Sequence, residues 1–238
     1  MKFDYDTFTV LDIPSPIAEQ IMAIRERHHD WFLKSFPVEI TLIGSSGVGV
    51  FDLSQDPEEA FATLDAIAVE TVPIHASFGE VLRFPNTDIF VHTLQDEEPF
   101  RALHERIAKS GLRFKPSPFP YKPHCTIRRR SPISEDEVAE LLSLRISESF
   151  VLDTMSVYML DKLPMSLLHR VKLAGKRGAA KHVAAADGGY RRANPVWSCL
   201  RSMLWLLRAL PVTPPLNSVP LCVQSRDQHV INKEGSIA

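Results

Sequence analysis

Two short stretches of this chain carry the same pattern. Pro123-His124-Cys125-Thr126-Ile127 sets a polar residue and a threonine two apart just after a proline, and Pro37 to Leu42, PVEITL, repeats that outline with Glu39 and Thr41. A β-strand turns successive side chains to opposite faces. His124, Thr126, Arg128 and Arg130 are therefore expected on one face of a strand, with Cys125 and Ile127 on the other. Glu39 and Thr41 are expected to share a face in the same way, backed by Ile40 and Leu42. Each copy follows a helical pattern and begins a similar succession of strand, loop, helix and strands. A chain built so is expected to fold as two related lobes facing one another across a cleft.

The flanking pattern fills in those lobes. Phe3–Ile13 is rich in β-branched and aromatic residues and reads as a strand. After Pro14-Ser15-Pro16, the spacing of Ile17, Ile21, Ile24, His28 and Phe32 predicts a helix over 17–33. The strand at 37–43 runs into the glycine-rich GSSGVGV, then a helix from Pro57 to Val69 with Asp56 as its N-cap. Strands are expected at 72–83 and 88–94 about the turn FPNTD. The segment DEEPFRALHERIAKSG has acids in its first turn, an apolar stripe of Phe100, Leu103 and Ile107, and Gly111 as its stop, so it predicts a helix. A second helix starts at Ser134, with Glu137 three residues later completing a capping box. Strands at 150–160 and 167–173 close the unit, and the mixed order indicates an α+β architecture.

Charge divides the chain at the same place as the pattern. Residues 1–175 carry 18 Lys+Arg against 26 Asp+Glu, whereas residues 176–238 carry 9 against 3. Residues 176–238 are read as a basic connector followed by an apolar run, VWSCLRSMLWLLRAL, that predicts an amphipathic helix at about 196–210. Arg201 and Arg208 interrupt that run, and it falls short of the ~20 apolar residues needed to span a bilayer, so no transmembrane segment is expected. The overall charge of −2 gives no bulk attraction to nucleic acid or membrane. Three widely spaced cysteines, Cys125, Cys199 and Cys222, indicate neither a disulfide framework nor a zinc pattern. The start, MKFDYDTFTV, shows no secretory h-region, so a reducing cytoplasmic setting is expected.

Alone, His-x-Thr describes any half-exposed strand; the matched PVEITL segment makes it a candidate site. Imidazole and hydroxyl groups on one face suit phosphate chemistry, because histidine exchanges a proton near neutral pH and hydroxyls donate to anionic oxygens. Arg128, and beyond it Arg130, is a candidate cation for phosphate. Tyr121 is a candidate for stacking a base at the entrance. The Gly44–Gly49 loop lacks the Gly-Lys-Ser/Thr ending of a phosphate loop and reads as a turn. His28 and His29 read as surface residues, and His75, His92 and His104 as structural ones.

On these residues the chain resembles the two-histidine (2H) phosphoesterase superfamily, which includes 2'-5' RNA ligase-like proteins and cyclic nucleotide phosphodiesterases. The family carries two H-x-[T/S]-x motifs some eighty-odd residues apart; here Glu39 and His124 stand 85 apart. The run FGEVLRFPNTDIFVHTL, the PFRALHERIAKSG helix and PYKPHCTI also look like its central segment, and the similarity covers about residues 1–173. The second motif matches and the first carries Glu39 in place of histidine. The resemblance implies a bilobal fold with a pseudo-two-fold axis and both motifs lining a central groove. It implies action without a metal on 2',3'-cyclic phosphates or 2'-5' linkages of an RNA end or small nucleotide; a monomer with no cofactor is expected. His124 and the residue at Glu39 would be the general acid and base, with Thr126 and Thr41 holding the phosphate. An ionised Glu39 could act as a base toward a 2'-hydroxyl or water with His124 as the acid; it serves as an acid only if its surroundings keep it protonated. Altered acid–base polarity, a different substrate, and retained binding without catalysis all stand open, as does a partner-binding role for the 196–210 helix.

Overall fold

The fold was obtained as a computed structural model, which describes residues 2–129 and 132–175. Arg130 and the helix expected at 196–210 lie outside the described residues. Strand β1 (Thr7–Asp12) leads to helix α1 (Ile17–Arg27), a 3₁₀ turn at Leu33–Ser35 and strand β2 (Glu39–Ile43). A two-residue strand β3 (Val50–Phe51) precedes helix α2 (Pro57–Glu70). Strands β4 (Ile74–Ala76), β5 (Phe78–Arg83) and β6 (Phe90–Leu94) follow, then helix α3 (Glu98–Ala108). The short β7 (Phe114–Lys115), strand β8 (Cys125–Arg128), helix α4 (Glu135–Ser143) and strands β9 (Phe150–Leu152), β10 (Thr154–Met159) and β11 (Ser166–Lys172) complete the order.

Local chemistry sets most of the helix starts. The Asp56 carboxylate accepts from the backbone N–H groups of Glu58 and Glu59 at 2.8 and 3.0 Å, satisfying two of the donors that the first turn of α2 leaves open. The Ser134 hydroxyl accepts from the N–H of Glu137 at 3.2 Å and starts α4. The stripe Phe100, Leu103, His104 and Ile107 buries one face of α3.

Four antiparallel strands in the order β11-β10-β1-β2 form one sheet, and β5-β6-β8 form a second. The pair β4–β9 ties them, since β4 runs into β5 and β9 into β10. Both strands that carry the matched pattern, β2 and β8, are edge strands of their sheets, and they pack against one another. On β2, Ile40 and Leu42 are fully buried while Glu39 and Thr41 alternate with them; on β8, Cys125 and Ile127 take the core positions.

Helix α1 stops at Arg27 rather than continuing to Leu33, and the cause is one buried residue. The Arg25 side chain, 1 % exposed, sends Nη1 to the carbonyls of Leu33, Phe36 and Pro37 at 3.1, 3.1 and 3.2 Å. Its Nε and Nη2 reach the carbonyl of Thr126 at 3.3 and 2.9 Å. The chain must leave the helix to bring those carbonyls round the guanidinium, and His29 turns it with a φ of 51°. Buried Asp30 completes the junction: its carboxylate accepts from the N–H of Leu33 at 3.0 Å and of Arg129 at 2.6 Å. Thus the approach to β2 and the backbone of β8 are held by the same turn.

Removing one member of such a buried network leaves the others desolvated and unpaired. Arg25→Lys, whose single ammonium cannot serve both groups of carbonyls, is expected to lower stability by about 3 kcal/mol in urea titrations. A loss below about 0.5 kcal/mol, the scale of an ordinary surface change, would contradict that assignment.

Candidate active site

The site begins with the alternation on β2. Thr41 follows Glu39 by two residues, and its hydroxyl donates to the two carboxylate oxygens at 2.9 and 3.1 Å. Burial holds the Glu39 carboxyl up at about 7, with the charge of Asp12 adding to the rise and the Thr41 hydrogen bond and Arg25 opposing it. The repulsion an ionised Glu39 would direct at phosphate is therefore reduced near neutral pH, where a large share of the group carries its proton.

His124 lies just before β8. Its Nδ1 donates to the carbonyl of Lys122 at 2.6 Å, which leaves Nε2 as the basic nitrogen of the neutral ring. Burial lowers its pKa from the usual histidine value, and the charge of Lys122 adds to that effect. Phe84 sits edge-on against the imidazole with ring centroids 5.1 Å apart. Thr126 is half-buried, and among the described residues no side chain bonds its hydroxyl.

The two strands meet through their flanks. The Cys125 sulfur lies against the Glu39 backbone, and burial pushes its thiol up to about 12. The Tyr121 hydroxyl donates to the carbonyl of Thr41 at 3.1 Å, and its phenol feels the charge of Glu39. His104 donates from Nδ1 to the next carbonyl, Leu42, at 2.7 Å, and its ring stacks on Tyr121 with centroids 3.9 Å apart and planes 4° from parallel. Tyr121, a candidate for stacking a base, acts as a brace here: one ring face is covered by His104 and its hydroxyl is held by β2. His104, structural in the sequence reading, is the layer beneath that brace.

The glycine loop serves the same packing. At Gly47, with φ +68°, a Cβ would come within 2.3 Å of the His104 ring, and at Gly49 within 1.8 Å of the Lys115 carbonyl. The loop is pinned to residues 117–119 by Gly47 N–H to Phe119 O at 2.9 Å and by the Ser117 hydroxyl to Ser45 O at 2.7 Å.

Arg128 does not share a face with Thr126. The register between β6 and β8 shifts, so that Val91 pairs with Thr126 but Phe90 with Arg128. Adjacent Phe90 and Val91 point opposite ways, and so do their partners. The Arg128 side chain is 5 % exposed, bonded to Glu137 at 2.8 Å and to the Pro132 carbonyl at 2.9 Å. His28, expected at the surface, is buried beside it, with Nδ1 2.9 Å from the same Glu137. The cation that acts on His124 is instead Lys122, and Arg101 on α3 stands behind it at Glu97. Both pair with Glu97, and Arg101 also donates to the Tyr121 carbonyl at 3.1 Å. A lysine two residues ahead of the motif was the available signal for the first; α3 hides the second, because nothing local ties Arg101 to the motif. Among the described residues, no group of three or more His, Cys, Asp or Glu side chains is arranged to hold a metal ion, and no helix is long and apolar enough to cross a membrane.

Comparison with known proteins agrees with this frame. Residues 13–162 match the model of the 2'-5' RNA ligase superfamily. Among solved structures, TT0787 of Thermus thermophilus is similar at 15 % identity and a TM-score of 0.52, the alignment covering 72 % of this chain and all of that one. Escherichia coli LigT complexed with 3'-AMP is similar at 16 % identity and a TM-score of 0.47, over 71 % of this chain and 97 % of that one. Usb1 of Kluyveromyces marxianus is similar at 14 % identity and a TM-score of 0.41, over 68 % and 97 % respectively. No curated protein sequence matches the chain. The likeness to TT0787 shows the fold.

The loop geometry makes a direct prediction. Gly47→Ala puts a side chain where L residues are strained and where the His104 ring already sits. It is expected to cost about 1–3 kcal/mol and to weaken the near-ultraviolet dichroism of Tyr121. A variant with native stability and an unchanged tyrosine signal would show that the loop does not support the brace.

Proposed function

The chain belongs to the 2'-5' RNA ligase superfamily of two-histidine phosphoesterases, and we propose that it cleaves a 2',3'-cyclic phosphate or a 2'-5' phosphodiester at an RNA end or in a small nucleotide. In this reading His124 is the general base and Glu39 the general acid. What supports it is the meeting of the two motif strands, with a basic imidazole nitrogen at the start of one and a carboxyl of raised proton affinity on the other. The roles are the reverse of those an ionised Glu39 would take.

For a cyclic phosphate, His124 Nε2 takes a proton from water as the water oxygen bonds to phosphorus. The bond from phosphorus to one ribose oxygen breaks, and Glu39 gives that oxygen its proton. Such acid–base assistance contributes ~10²–10⁴-fold each in enzymes. The hydroxyls of Thr126 and Thr41 donate to the non-bridging oxygens; protonation of Glu39 weakens the bond that Thr41 donates to its carboxylate, so the threonine hydroxyl can turn to phosphate. Lys122 supplies the nearby positive charge. The active form needs His124 unprotonated and Glu39 protonated, so activity is lost below the lowered His124 pKa and again as pH rises through about 7.

Turnover of 2',3'-cyclic nucleotides by the full chain tests this. His124→Ala and Glu39→Gln are each expected to lower kcat/KM by ~10²-fold or more, and Glu39→His to restore activity with the alkaline limb moved. Absence of turnover on all four bases, with nucleotide affinity retained in calorimetry, would replace the enzyme by a phosphate-binding module. A Glu39→Gln variant as active as the native chain would remove Glu39 from the chemistry.

A further inference from the structure

Asp12 lies directly across the β1–β2 ladder from Glu39 and belongs to neither motif. The two are Cα partners in the antiparallel register, so their side chains leave the sheet on the same face. Asp12 Oδ2 is held from the far side: the Ser156 hydroxyl of β10 donates to it at 2.7 Å, and Arg170 of β11 approaches it at 3.2 Å. Arg170 also donates to Ser156 Oγ at 3.1 Å and to the Tyr158 hydroxyl at 3.2 Å. Asp12 Oδ1 is buried and has no hydrogen-bond partner. Such an orphan is costly in a native interior and asks for an explanation.

We propose that Asp12 is a positioning residue of the site, facing Glu39 across the ladder so that the two carboxyl groups hold one exchangeable proton between them and Glu39 keeps it for the reaction. Two like charges on neighbouring residues of one sheet face cannot both ionise without mutual cost. Ser156 and Arg170 bias the choice, since both stabilise the ionised form of Asp12 and neither bonds Glu39. The chain Arg170–Ser156–Asp12–Glu39 thus crosses all four strands from the half-exposed edge to the motif. The polar row has a clear face: between its members the opposite side of the sheet buries Leu11, Ile40, Met155 and Val157.

The groups facing the pair from other elements do not change the sense of this coupling. Glu39 meets Arg25 from α1, Thr41 on its own strand, and the Tyr121 phenol and Cys125 thiol from the second motif. Asp12 meets Arg170 and Lys172 from β11 and the Tyr158 phenol from β10. Arg25 pulls Glu39 toward ionisation and is opposed by Asp12 and by burial, while both charges on β11 act on Asp12. Burial raises the proton affinity of both carboxyls, and the charge of Asp12 adds to the rise at Glu39.

This inference deepens the catalytic reading, yet its test does not need turnover. Carboxyl carbons of Asp and Glu are followed by ¹³C NMR across pH in the native full-length chain, with Glu39→Gln and Asp12→Asn assigning the signals. The Glu39 and Asp12 carbons are expected to register each other's ionisation as two shared inflections. In Asp12→Asn the Glu39 midpoint is expected to fall by about one pH unit, with the alkaline limb of kcat/KM moving by the same amount. Independent single-step titrations in the native chain would overturn the proposal, and so would a Glu39 midpoint unmoved by Asp12→Asn. The native titration decides the matter even where that variant fails to fold. A coupled pair in a protein without turnover would retire the catalytic reading alone.

Discussion

The guanidinium of Arg25 is the interaction on which the rest of the structure depends. Among the described residues, neither β2 nor β8 has a ladder partner on its outer side, and hydrophobic packing alone would let the two strands slide past one another. One buried cation donates to both: three carbonyls on the approach to β2 and one within β8 converge on it. Taking a charge out of water costs several kcal/mol, recovered only when its donors are satisfied, so the arrangement tolerates little displacement. Position is what acid–base chemistry at a phosphate most requires. The same residue tempers Glu39 electrostatically, so the structural pin and the proton balance of the site are coupled.

Burial acts on Glu39 and His124 through one physical cause with opposite results. Desolvation disfavours charge, so it raises the carboxyl and lowers the imidazole. Both groups are pushed toward neutrality, which suits a proton donor on the first motif and a proton acceptor on the second. Two histidines in equally dry surroundings would both be driven to the basic form, and a further asymmetry would be needed to keep one protonated. A carboxyl opposite an imidazole reaches complementary proton states without that asymmetry, and its neutral form does not repel an incoming phosphate. In the proposed reading the glutamate of the first motif is therefore compatible with acid–base chemistry at a phosphate, with the first motif supplying the acid.

Much of this was legible in the residues themselves. Alternation in PVEITL and PHCTI foretold which side chains face away from the core, and the caps at Asp56 and Ser134 marked two helix starts, because these signals are local. The parts that were not legible depend on contacts distant in sequence. The length of α1 was overestimated since its apolar spacing continues past the point where Arg25 draws the chain aside. Arg128 was assigned to the wrong face because a register shift is invisible in a four-residue strand. His104 and Tyr121 act through stacking between a helix and a loop, and Asp12 gains its meaning only from the residue across the ladder.

A crystal structure of the full chain with a 2',3'-cyclic nucleotide or its reaction product tests the central claim most directly. The account predicts phosphorus between the Glu39 carboxyl and His124 Nε2, its non-bridging oxygens within hydrogen-bond distance of the Thr41 and Thr126 hydroxyls, and Arg128 still bound to Glu137. A phosphate seated away from the junction of β2 and β8, or approached by Arg128 in place of those hydroxyls, would contradict it.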